Sequence, residues 1–89
     1  MEQKFIAAWE QRRAAANLMG IRMRALDVKG AKRVLAGSRL SDGFNELAAK
    51  GALIYSLEAL VVDKRFTVLF TDEEANEALM RLLEAGYRF

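Results

Sequence analysis

Asp72, Glu73, Glu74 and Glu77 stand close enough together for carboxylate acid–base chemistry, and Ser38, Ser41 and Ser56 carry hydroxyls that a nucleophilic mechanism would need. Neither set has what would activate it. The sequence contains no histidine and no cysteine, which removes the commonest general base, the thiol nucleophile and the usual ligands of zinc-type sites. A serine would have to rely on lysine, and no Ser-x-x-Lys spacing occurs. The acids follow Thr71 directly, where a different reason accounts for them. Carboxylates favour the positive end of a helix, and Thr71 with Glu74 has the spacing of a capping box. An EF-hand loop would need alternating Asp/Asn ligands around a glycine, and there is none. The nearest approach to a phosphate-cradling loop is Ala36-Gly37-Ser38-Arg39, which lacks the lysine, the spacing and the preceding strand. No catalytic residue, metal ligand or cofactor is assigned, and enzyme function is not expected.

Charge is more informative. Residues 1–40 hold nine Lys/Arg against three acids, a net of +6, whereas residues 41–89 hold five against nine, a net of −4. A basic half is the electrostatic footprint of nucleic-acid binding, for which Arg12, Arg13, Arg22, Arg24, Lys29, Lys32 and Arg33 are the candidates. On an unbroken helical wheel Lys4, Arg22, Lys29 and Arg33 fall on one side and Arg13 and Arg24 on another. A helix-turn-helix over 42–60 fails on chemistry. Its recognition segment, Ala52 to Leu60, offers no Arg, Lys, Asn or Gln to base edges and carries Glu58 instead. The competing reading is a solvated basic face that attracts the acidic half of the same chain or of a second copy.

With 53% hydrophobic residues in 89, a domain this small is expected to leave some apolar surface outside. The candidate protein interface is the stripe of Phe5, Trp9, Arg12, Met19 and Met23, where aromatic and methionine side chains suit either a core or a partner surface. The leading functional expectation is therefore a small non-enzymatic interaction or regulatory module, pairing with another protein or with itself. A nucleic-acid-associated accessory protein is the alternative. No secretory signal or membrane-spanning run is read in the sequence, so a cytoplasmic location is expected.

These residues need elements to position them. Phe5, Trp9, Arg12, Ala16, Met19, Met23 and Leu26 recur at helical spacing, predicting a long first helix from residue 3 through Gly20 to about Asp27. Arg12 interrupts that stripe; either its stem packs while its guanidinium reaches water, or it is a buried pair or an interface anchor. Val28 to Ala36 reads as a second helix stopped by Gly37. A third is expected from an N-cap at Ser41, through Phe44, Leu47 and Ala48, to Gly51. Residues 57–70 read as a short helix capped by Ser56 followed by a loop. The alternative is a hairpin, since Phe66, Val68 and Phe70 alternate. The last helix starts at Thr71, buries Ala75, Ala78, Leu79, Leu82 and Leu83, pairs Glu77 with Arg81, and ends at Gly86, with Tyr87 and Phe89 folding back. The expected architecture is one all-α domain over 1–89, a compact bundle of four or five helices with a long N-terminal one.

Overall fold

Gly20 ends the first helix. In the computed structural model, which describes residues 1–88, α1 spans Glu2–Leu18. Gly20 adopts a φ of +79°, a left-handed conformation that only glycine enters freely. The Ile21 N–H then donates back to the Ala16 carbonyl at 2.9 Å, and that of Gly20 to the Asn17 carbonyl at 3.0 Å, the double bond of a Schellman stop. The expected continuation to Asp27 is thus corrected. The chain reverses and residues 21–27 run back along α1 without helical structure. Two side chains of α1 strap them down: Trp9 Nε1–H donates to the Arg24 carbonyl at 3.0 Å, and Arg13 Nε–H to the Met23 carbonyl at 2.7 Å. Ile21 and Met23 are buried while Arg22 and Arg24 are exposed. That alternation belongs to extended chain, and it is why Met23 could fit a helical stripe without being in a helix.

α2 spans Val28–Ala36. Asp27 caps its start by accepting from the Gly30 N–H at 2.7 Å. α3 is Phe44–Ala49, and the residue before it is Gly43, not Ser41. Ser41 was expected to be the cap. Instead its hydroxyl donates to the Glu58 carboxylate at 2.5 Å, and Asp42 turns outward to Arg24.

A 3₁₀ turn at Leu53–Tyr55 leads into α4, Leu57–Val61, capped by Ser56 Oγ accepting from the Ala59 N–H at 3.1 Å. A second 3₁₀ turn covers Thr67–Leu69. There is no strand among the described residues, so the hairpin alternative does not form. The turn buries Phe66 and Phe70 and leaves Val68 75% exposed, because residues four apart, not two apart, share a side.

α5, Asp72–Glu84, starts with the expected capping box: Glu74 N–H donates to Thr71 Oγ1, and Thr71 N–H to Glu74 Oε1. Ala78 and Leu82 are buried, but Leu83, expected inside, is 54% exposed. The Tyr87 N–H donates to the Leu82 carbonyl at 2.9 Å, and its ring packs on the core. Phe89, expected to fold back with it, lies outside the described residues.

Among the described residues, the five helices enclose one core. Phe5 and Trp9 of α1 meet Leu57 and Leu60 of α4, Leu47 of α3, Leu35 of α2 and Leu82 of α5. Phe5 stands edge-on to Phe66 and tilted against Phe70, ring centres 5.6 and 5.5 Å away, in the offset geometries that aromatic quadrupoles favour. No helix among the described residues is long and apolar enough to cross a membrane.

Candidate functional site

The proposed interface stripe divides on inspection. Phe5, Trp9 and Met23 are buried by their own chain, so the core reading applies to them and they are not surface anchors. Met19 is half-buried at the edge of the core. Arg12 is half-buried too, and its Nε–H donates to the Ile54 carbonyl at 3.2 Å. Partial burial draws the Arg12 guanidinium below its ordinary pKa, opposed by nearby Asp63. It makes no ion pair with a carboxylate of any described residue. The large apolar side chains that do reach solvent were not in the stripe: Leu18, Leu40, Ile54, Val68, Met80 and Leu83, with Met1.

The buried arginine is Arg81. Its Nη1 lies 3.1 Å from Glu58 Oε2 and its Nε 2.7 Å from Glu77 Oε2. Its Nη2 donates to the carbonyls of Val34, Leu35 and Gly37 at the end of α2. The Glu77–Arg81 pairing was legible from spacing. The partnership with Glu58 was not, although a glutamate inside the mostly apolar stretch from Ala52 to Val62 was its signal. A buried charge without a partner is too costly to survive, so Glu58 demanded a cation from elsewhere in the chain. Among the described residues, every buried polar side-chain atom has a hydrogen-bond partner.

The basic candidates also divide. Arg13 donates to both Glu10 oxygens at 2.7 and 2.8 Å. Lys32 binds Glu74 at 2.7 Å and lies over the Phe70 ring. Arg24 binds Asp42 at 2.8 Å, which raises the arginine's pKa and holds the Asp42 carboxyl below the usual carboxylate range. Arg22, Lys29 and Arg33 are exposed and form no ion pair with a described residue.

Breaking the helix at Gly20 regroups the arginines in a way the helical wheel does not. Arg13 of α1 and Arg22 and Arg24 of the returning connector line a cavity of about 590 Å³ with Ile21 and Met23. On the other side of the Arg24–Asp42 pair, a cavity of about 430 Å³ is lined by Arg24, Arg33 and Arg39, with Leu26, Val34 and Leu40 as apolar wall. Arg24 and Asp42 border both, so the two cavities adjoin at that ion pair, and together they are termed the trough. Five arginines line it against two acids, Glu10 and Asp42. Arg39 was not among the nucleic-acid candidates. Ser38 entered the sequence reading as a hydroxyl with nothing to activate it, and both lay in the Ala36-Gly37-Ser38-Arg39 loop that was set aside as a phosphate cradle. Among the described residues, no three His, Cys, Asp or Glu side chains are placed to hold a metal ion.

Compared with protein-family models, curated proteins and solved structures, the chain matches none.

Proposed function

We propose that this chain is a small non-enzymatic interaction module of the cytoplasm that holds an acidic protein partner in the arginine-lined trough. The observation that carries this reading is the convergence of Arg13, Arg22, Arg24, Arg33 and Arg39 on two adjoining cavities with apolar walls. Guanidinium forks grip carboxylates in two-point contacts, and the apolar wall receives the side chains between them. The acidic half of a second copy, where Asp72, Glu73 and Glu84 are exposed, is one partner of this chemistry.

The test is titration of a labelled peptide alternating Glu and Leu, with a neutral peptide of the same apolar content as control. Selective binding that weakens as salt rises is the expected result. Equal binding of both peptides at low salt would discard the reading. Light scattering on the chain alone tells self-pairing from capture of another protein.

A second reading, phosphate-backbone binding of nucleic acid, is favoured by Arg22, Lys29 and Arg33 being exposed and unpaired among the described residues. Mixed-sequence duplex held more tightly than the acidic peptide, with a steep loss on adding salt, would put it first.

A further inference from the structure

We propose that the Arg33–Arg39 end of the trough is a site for a phosphomonoester, held where the chain leaves α2 through Gly37–Leu40. This rests on the trough being the binding face and narrows its ligand to one chemical class.

Arg33 and Arg39 border the same cavity, and neither pairs with a carboxylate of any described residue. Ser38 borders it as well. Among the described residues, neither the Ser38 hydroxyl nor the backbone N–H groups of Ser38, Arg39 and Leu40 make a hydrogen bond. One short exposed segment thus presents a hydroxyl, three amide donors and a guanidinium, with a second guanidinium from the last turn of α2. As a nucleotide loop Ala36-Gly37-Ser38-Arg39 fails for want of a lysine and a strand. A single phosphate group needs neither where Arg33 borders the same cavity as that segment.

The end of α2 would ordinarily oppose an anion, since a helix carries about half a negative charge at its C-terminus. Here Arg81 Nη2 already donates to the carbonyls of Val34, Leu35 and Gly37, at 3.3, 3.4 and 3.0 Å. Asp42 also borders the cavity, but it is neutralised by Arg24 at 2.8 Å. What remains is the charge of Arg33 and Arg39, which suits a group carrying about −1.5 to −2 at pH 7 better than a carboxylate or a phosphodiester, each singly charged. Trp9 is only 1% exposed, so it offers no face on which a nucleic-acid base could stack.

The experiment is amide NMR of the full chain, titrated with inorganic phosphate and phosphoserine, and with acetate as the singly charged control. Saturable shifts at Ser38, Arg39 and Leu40 are expected, with phosphoserine binding strengthening as pH rises through about 6, where its second proton leaves. The Arg33→Gln/Arg39→Gln double variant should weaken phosphate binding about tenfold or more while its denaturation midpoint stays unchanged, since both side chains are exposed. A phosphoserine peptide containing leucine binding more tightly than phosphoserine alone identifies a partner-borne phosphate. Equal affinity identifies a free phosphorylated compound. Acetate shifting the same amides as strongly, an unaffected double variant, or duplex DNA outcompeting the phosphopeptide would each overturn the proposal. If phosphate fails while the Glu/Leu peptide still binds, this inference falls and the reading of the trough stands; failure of both removes the two together.

Discussion

Arg81 on α5 reaches Glu58 on α4 with 3.1 Å between Nη1 and Oε2, where the glutamate side chain is wholly shielded from water and the arginine 5% exposed. The same guanidinium holds the end of α2, and the same carboxylate receives the Ser41 N–H and hydroxyl. One ion pair therefore fixes the relative placement of α2, α4, α5 and the segment entering α3.

Removing one partner should be far worse than removing both. Arg81→Met is expected to destabilise the fold by about 3–5 kcal/mol, because it leaves the Glu58 charge buried and uncompensated. The Glu58→Leu/Arg81→Met double variant should recover part of that loss. Recovery stays incomplete because Ser41 and the α2 carbonyls still lack their partners. Urea denaturation of the three variants checks the order.

Gly43 and Gly20 both have positive φ, at +75° and +79°, but differ in surroundings. A Cβ at Gly43 would lie 2.6 Å from Ile21 Cγ2, whereas at Gly20 nothing lies within 4 Å. Gly20→Ala should cost about 1–2 kcal/mol from backbone strain alone. Gly43→Ala should cost about 2–4 kcal/mol, as overpacking adds to the strain. Chemical denaturation of the pair separates the two effects.

Acid should weaken the fold through three carboxylates. Arg24 holds Asp42 below the usual carboxylate range, and Arg65 does the same for Asp63. For Glu74, burial pushes upward, but hydrogen bonds from Lys32 and Thr71 outweigh it and leave the group low. A carboxyl lowered in the folded state binds fewer protons there than in the unfolded chain, so its contribution is complete above the unfolded pKa and fades as pH falls through the folded one. The denaturation midpoint should be level above about pH 5 and fall below about pH 4. Lys32→Met should flatten part of that decline by releasing Glu74.

Trp9 is the sole tryptophan and is buried with its N–H on the Arg24 carbonyl. Its emission should be blue-shifted in the folded chain and move red on unfolding. Trp9→Phe should cost about 1–3 kcal/mol by leaving that carbonyl without its donor, and should loosen the connector that carries Arg22 and Arg24. Faster amide exchange over residues 21–26 is the accompanying sign.

The sequence by itself determined the local elements wherever one short stretch holds the whole instruction. The span of α2, the Ser56 cap, the capping box of Thr71 and Glu74 and the stops at Gly37, Gly51 and Gly86 were readable, since each depends on residues within a turn of one another. Apolar spacing also favoured the all-helical class, while the alternation of Phe66, Val68 and Phe70 left a hairpin open until the structure showed a 3₁₀ turn there. Only the tertiary structure decided what depends on residues far apart. An in-phase Met23 cannot reveal whether α1 continues or doubles back, since it is buried either way. The choice rests on Gly20 and on the straps from Trp9 and Arg13. Likewise Glu58 announces a buried charge, but not that Arg81, 23 residues onward, will meet it. The trough follows the same rule. Its arginines come from α1, a folded-back connector, α2 and the loop after it, and no periodicity along the chain brings those four segments together.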